Sequence, residues 1–251
     1  MSHPKDYFSR QSSDYAAARP RYPDTLFEYL ATLCPAHELA WDAATGNGQA
    51  AQALSAYFHR VYATDISAEQ LGRAAPGHNI EYRKEETEAC SLGDAGTDLI
   101  TVATAAHWFR LDAFYAQVNR VLKPGGVLAI WSYAGCTINA ALDPVLDEFA
   151  FHTLDPYWPP ETRYNWKEKY STLPFPYPLL ETPRFFAEAD YTFPELLRYI
   201  HSWSAVQQYL TAHQQDPVAL VYDTLLRLWG NPEEKKTIRW ELFMKCGKRA
   251  G

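Results

Sequence analysis

Positive charge is scarce in this chain. Its 23 Lys and Arg are outnumbered by 30 Asp and Glu, for a formal net charge of −7. A nucleic-acid surface needs a basic face, so that partner class is not expected. The basic residues near the end (Lys235, Lys236, Arg239, Lys245, Lys248, Arg249) read as solubility charges at strand ends. Cysteine is sparse as well. Cys34, Cys90, Cys136 and Cys246 are scattered, with no C-x-x-C pair and no histidine at zinc spacing. That excludes a disulfide framework, leaves no metal site to expect and fits a reducing cytoplasm. No apolar run approaches a membrane span, and the start, Met-Ser-His-Pro-Lys-Asp-Tyr, lacks the apolar core of a signal peptide. No membrane partner is expected.

What is present is an ordinary globular composition, 47% hydrophobic over 251 residues. That length suits one domain with insertions, or two at most. The most informative stretch is Leu39-Ala-Trp-Asp42-Ala-Ala-Thr-Gly46-Asn-Gly48, an apolar run that ends on an acid and enters a small, glycine-containing loop. Gly46 and Gly48 can take positive φ and let a ligand lie against the backbone. Helix formers follow over 49–58, so strand, turn and helix N-terminus come in succession and backbone N–H groups face the loop. A second apolar run ends at Asp65, where a carboxylate can accept from both ribose hydroxyls of a nucleoside. Ile66 could lie on an adenine face. A dinucleotide fingerprint can be read here with Ala51 at its third position. Against it, Asp42 at the strand's mouth would repel a pyrophosphate and suit an ammonium group. The plainer reading of Asp42 is a loop-capping acid.

Strand and helix signals alternate along the chain. Residues 79–83, 98–102 and 127–131 read as strands, and 111–122 as an amphipathic helix stopped by Lys123-Pro124-Gly125-Gly126. Further on, 185–191 reads as a sixth strand, 196–210 and 217–229 as cap helices, and 236–244 as an alternating last strand. The pattern implies an α/β fold, a parallel sheet covered on both faces, with ligands beyond the carboxyl ends of the strands.

Four stretches together resemble the core of class I S-adenosylmethionine-dependent methyltransferases. They are Asp42 to Gly48, Thr64-Asp65-Ile66-Ser67, Glu86-Thr87-Glu88 and Arg120 to Gly126. Ala44 stands where the family has its first loop glycine. The resemblance implies a Rossmann-like, seven-stranded, mostly parallel sheet with the last strand antiparallel, in a single domain. Its parts would be a core over 36–134, an N-terminal cover over 1–35, a lid over 152–178 and cap helices over 194–230. It implies S-adenosyl-L-methionine as cofactor. Asp65 would hold the ribose, Ile66 the adenine face, Glu86 the adenine amino group and the Thr87 backbone the ring edge. Ala44, Gly46, Gly48, Asp42 and the main chain at Ala103 would surround the methionine end. The plainer reading of Glu86 is a solvated acid in the Glu85, Glu86, Glu88 cluster.

Tyr15 to Pro23, Ala106-His107-Trp108-Phe109 and Ser202 to Val206 are similar to a subgroup of trans-aconitate methyltransferases. If this stretch is helical, Tyr15 and Arg19 share a face at i, i+4, which could set Arg19 on the methionine carboxylate; a surface cap is the alternative. His107 follows the fourth strand, as a general base, a substrate hydrogen-bonding group or a loop-fixing residue. Trp108 either walls the acceptor pocket or packs beneath it. Residues 152–178 carry too many prolines for a long helix and too many aromatics for a disordered linker. In a lid reading, Tyr157, Trp158, Tyr164 and Trp166 shape an apolar pocket, with Arg163 to pair an acidic acceptor; in the plainer one the loop is scaffold. The expected reaction is methyl transfer to a small-molecule acceptor by a monomer or homodimer. The rivals are an NAD-dependent oxidoreductase and a non-catalytic cofactor-binding protein.

Overall fold

Alternation along the strands sorts the apolar residues into two layers. Ala40, Val61, Ala63, Leu99, Val127, Ala129 and Trp131 face one side, and Trp41, Tyr62, Ile100, Val102, Leu128 and Ile130 the other. A sheet that is apolar on both faces must be covered on both. The computed structural model, which describes residues 20–162, 165 and 167–251, shows how. Helices α1 (Asp24–Leu33) and α2 (Gln49–Leu54) and the cap cover the first face. The short α3 (Ala68–Leu71) follows β2, and α4 (Leu111–Val121), with Tyr170 and Leu173, covers the second face.

The seven strands are β1 (Leu39–Ala43), β2 (Arg60–Asp65), β3 (Ile80–Lys84), β4 (Thr97–Ala103), β5 (Leu122–Tyr133), β6 (Phe185–Tyr191) and β7 (Lys236–Lys248). They form one sheet in the order β3-β2-β1-β4-β5-β7-β6. The first five are parallel, and β7 runs antiparallel between β5 and β6. The chain steps outward from β1 to β3, then returns to the other side of β1 with β4. That reversal opens a crevice above the carboxyl ends of β1 and β4, where such sheets bind ligands.

The structure departs from the sequence expectations at several borders. The helix after the glycine loop ends at Leu54, because the chain tightens there and Tyr57 and Phe58 both donate to the Leu54 carbonyl. The predicted helix over 196–210 is two helices, α6 (Phe193–His201) and α7 (Ser204–His213), after a short α5 (Asp143–Glu148). Trp203 between them is extended and buried, with its ring against Tyr199, Phe149 and Trp158. Burying that indole outweighs one continuous helix. A capping box formed by Thr192 and Glu195 starts α6 earlier than expected. Residues 217–229 divide into a 3₁₀ turn, Pro217–Leu220, and α8 (Tyr222–Trp229).

Strand β5 begins at Leu122, five residues before the expected Val127. Lys123 to Gly126 form an irregularity within the strand. Gly125, at φ 76°, donates to the Arg249 carbonyl, and Arg249 donates back to that of Gly126. The aromatic segment between α5 and β6 consists of short turns, Asp155–Tyr157 and Pro160–Thr162 among them. No helix among the described residues is long and apolar enough to cross a membrane.

Candidate functional site

Three left-handed residues shape the loop after β1. Ala44, Gly46 and Gly48 have φ of 56°, 57° and 82°. Thr45 N–H, just past Ala44, donates to the Thr64 carbonyl at 2.8 Å and ties the loop to β2. The glycines differ in what holds them. A Cβ on Gly48 would stand 2.4 Å from Tyr82 Oη, whereas a Cβ on Gly46 would meet nothing within 4 Å. The outer side of Gly46 therefore lets a ligand approach the backbone. Ala44 occupies the same region of φ at a cost that glycine avoids.

Asp65 ends β2 as a 9% exposed carboxylate. Its Oδ2 accepts from Gly46 N–H and its Oδ1 from Ser67 N–H, both at 2.8 Å. Ile66 beside it is exposed. Asp42 is deeper. It is buried, accepting from Thr45 Oγ1 at 2.5 Å and Thr101 Oγ1 at 2.8 Å. Burial pushes its pKa up to about 6, against the two threonine hydrogen bonds that lower it. It has no ion-pair partner among the described residues.

The three acids after β3 separate by role. Glu85 accepts from Tyr62, Ser91 N–H and Ser91 Oγ, and these bonds hold its carboxyl below the usual range despite burial. Glu88 accepts the Arg110 backbone N–H at 3.0 Å. Glu86 is exposed and, among the described residues, makes a loose pair to Arg110 at 3.8 Å. Thr87 is buried in the 3₁₀ turn that follows.

Ala103 ends β4, and Thr104 follows at φ 56°, an uncommon conformation for a β-branched residue. Its N–H donates to the Trp131 carbonyl, and its hydroxyl meets Tyr22 Oη at 3.0 Å. Gln49, the first residue of α2, accepts from Tyr22 N–H and donates to the Pro20 carbonyl. Residues 20–22 are thereby strapped across the mouth of the loop. Gln49, Tyr22 and Thr104 were not singled out from the sequence; a positive φ on threonine leaves no mark in composition. Tyr15 and Arg19 lie outside the described residues.

On the acceptor side, His107 sits in the 3₁₀ turn Ala106–Trp108. Its Nδ1 is 2.8 Å from Tyr170 Oη, and its ring is 5.0 Å from that of the half-buried Trp108. The lid turn Pro160–Thr162 packs on this turn. Tyr157 and Trp158 lean toward the cap. Tyr157 Oη meets His213 Nε2 at 2.5 Å, and Trp158 Nε1 donates to the Ala150 carbonyl at 2.8 Å. Arg163, Tyr164 and Trp166 lie outside the described residues. Among the described residues no group of side chains is arranged to hold a metal ion.

The chain is similar to known proteins. Residues 41–130 match the methyltransferase domain family. A Dictyostelium discoideum protein named as a methyltransferase is 32% identical over 228 residues, covering 89% of this chain and 86% of that one. A solved structure from Anaeromyxobacter dehalogenans, described as a type II methyltransferase, is 34% identical, with a TM-score of 0.87 over 93% of this chain and 99% of the other. The malonyl-[acyl-carrier protein] O-methyltransferase of Dechloromonas aromatica is 33% identical over 150 residues, covering 56% of this chain and 55% of its own. These matches favour neither a dinucleotide oxidoreductase nor a non-catalytic binding protein. With the seven-stranded sheet and its β1 loop, they show that the chain belongs to the class I methyltransferase family.

Proposed function

We propose that the protein transfers the methyl group of S-adenosyl-L-methionine to an oxygen of a small-molecule carboxylate. The observation that carries the cofactor is the Asp65 carboxylate at the end of β2, held against the β1 loop by the Gly46 and Ser67 N–H groups. Ile66 would lie against adenine, Glu86 would accept from the adenine amino group, and the Thr87 backbone would meet the ring edge. Ala44, Gly46, Gly48 and Ala103 would surround the methionine end, where the Asp42 anion balances the ammonium group across the Thr45 hydroxyl. Tyr15 and Arg19 would reach the methionine carboxylate from the N-terminal segment.

Support for a carboxylate comes from three directions. The Dechloromonas aromatica relative is by its name an O-methyltransferase of a malonyl group. The sequence resembles the trans-aconitate subgroup in its flanking motifs. A carboxylate is already an anion at neutral pH and requires no base. The sulfonium is activated by its own charge, so the protein's task is alignment and exclusion of water. His107, Trp108, Tyr157, Trp158 and Arg163 would shape the acceptor side. The partner is a small molecule rather than nucleic acid or membrane, and the working form a monomer or homodimer in the cytoplasm.

Calorimetric titration with S-adenosylmethionine and with NAD tests the cofactor, and binding of NAD alone would overturn the reading. Release of S-adenosylhomocysteine with a panel of carboxylic acids and phenols tests the acceptor, with carboxylates expected to be the productive class.

A further inference from the structure

Glu85 opens the segment that follows β3. Its N–H donates to the Asp65 carbonyl at 3.1 Å, which ties the start of the segment to the end of β2. Its side chain reaches the other end of the same segment. One carboxylate oxygen accepts from Ser91 Oγ at 2.7 Å and from Tyr62 Oη at 2.8 Å, and the other from Ser91 N–H at 3.1 Å. Tyr62 makes a firm anchor, because its ring is buried in the core layer on the α4 face of the sheet. Burial works against the Glu85 charge. The Ser91 and Tyr62 hydrogen bonds, with the Arg83 charge, outweigh it and keep the carboxyl below its ordinary range. The group is therefore an anion at neutral pH and an acceptor at both oxygens.

These bonds close residues 85–91 into a loop, and Glu86 and Thr87 lie within it. Glu86 is extended, at φ −75° and ψ 141°, and the 3₁₀ turn Thr87–Ala89 follows. The far side of the loop is held from α4: Arg110 N–H donates to Glu88 at 3.0 Å, and the Arg120 guanidinium donates to the Cys90 and Leu92 carbonyls. The Glu85 carboxylate joins the two ends. A short loop discriminates between ligands by as much as it resists rearrangement, and ordering a free segment uses up part of the binding energy.

We propose that Glu85 is a positioning residue that sets the preference of the site for adenine: its carboxylate, bonded to Ser91 and Tyr62, fixes the backbone at Glu86 and Thr87 before the cofactor arrives. It touches no part of the cofactor and acts through those two residues. The inference rests on the methyl-transfer reading and deepens it, assigning the choice of base to a residue behind the contact surface. Adenine offers Glu86 an amino group. Hypoxanthine offers a carbonyl oxygen at the same place, and an anion held there repels it. A loosened turn shifts to relieve the repulsion and loses the distinction.

The test compares S-adenosyl-L-homocysteine and S-inosyl-L-homocysteine, which differ only in the base, by calorimetry. The unmodified protein should bind the adenine compound more tightly by about tenfold or more, the worth of one hydrogen bond to a charged group. In Glu85→Ala the ratio of the two affinities should fall to about threefold or less. Glu85→Gln should restore most of it, since the amide can accept from Ser91 N–H and donate to the two hydroxyls. A merely structural role would lower the melting temperature of Glu85→Ala and leave the ratio alone. An unchanged ratio in Glu85→Ala overturns the proposal, as does a ratio near one in the unmodified protein, or a glutamine variant no better than the alanine one. If Glu85→Ala fails to fold, Ser91→Ala, at the exposed end of the loop, is read in its place. Its ratio should fall by about threefold for the loss of the Ser91 Oγ bond, and an unchanged one is equally decisive. Binding of neither compound removes the methyl-transfer reading and this inference with it, whereas tight adenine binding at an unaltered ratio removes this inference alone.

Discussion

The two ends of the sheet treat a buried acid in opposite ways. At the amino end of β4, Asp98 is fully buried and fully used. Lys123 Nζ lies 2.7 Å from its Oδ1, and Glu38 and Leu39 N–H groups donate to its Oδ2 at 3.0 Å. At the carboxyl end of β1, Asp42 is just as buried but has two threonine hydroxyls and no ion-pair partner among the described residues. Left-handed Ala44 and Thr104 are at that end too. One end closes its electrostatics internally and contributes stability. The other leaves an anion without an opposite charge among the described residues and stores backbone strain, as sites that complete themselves with a ligand do.

Breaking the quiet end should have the largest effect. Asp98→Ala leaves a half-buried Lys123 and two strand-start N–H groups without their acceptor. Loss of one member of a buried pair costs about 3–5 kcal/mol. The melting temperature should fall steeply, with S-adenosylmethionine affinity per folded molecule unchanged. Asp65→Ala should do the reverse. It removes the acceptor for Gly46 and Ser67 and for the ribose, so calorimetry should show affinity weaker by ~3 kcal/mol, about a hundredfold, with a smaller change in melting.

Asp42 sharpens the contrast through pH. Its folded pKa of about 6 stands above the ordinary carboxylate value. As an acid with a raised pKa, it favours the folded state in its protonated form, and that contribution is lost as the pH rises through about 6. The cationic methionine end needs the anion instead. Cofactor affinity should hold above that pH and weaken as the pH falls through it, the inflection moving lower once the ammonium group is bound. Asp42→Asn should flatten the dependence; a wild-type affinity indifferent to pH would remove Asp42 from the site. The smallest effect belongs to Ala44→Gly. Relief of the left-handed strain should stabilise the fold by ~1 kcal/mol, less the entropy glycine loses on folding, and chemical denaturation can read it.

How much of this was legible beforehand depended on sequence distance. The acids at the ends of β1 and β2 and the loop between them could be read directly, because strand, turn and helix follow one another within 39–65. So could the strand–helix alternation that makes the first five strands parallel. Features joining distant residues could not. Lys123 to Gly126 looked like a plain stop, since its pairing with Arg249 depends on a segment more than a hundred positions away. The break at Trp203 carries no proline or glycine; the cause is a buried indole packed on residues from other elements. Tyr157 read as a pocket wall, and its bond to His213 spans 56 positions. Tyr170 drew no notice, because nothing local points it at a histidine 63 residues earlier.

The placement of β7 bears on how the chain is born. Residues 236–248 fill the slot between β5 and β6, so neither of those strands has its final neighbour until this stretch has been synthesised. On the ribosome, β5 presents an unpaired, apolar border for the whole time that the hundred-odd residues after it are being translated. Such borders recruit other chains. Expression yield should therefore respond to translation speed and chaperone supply more than to the thermodynamic stability of the finished fold.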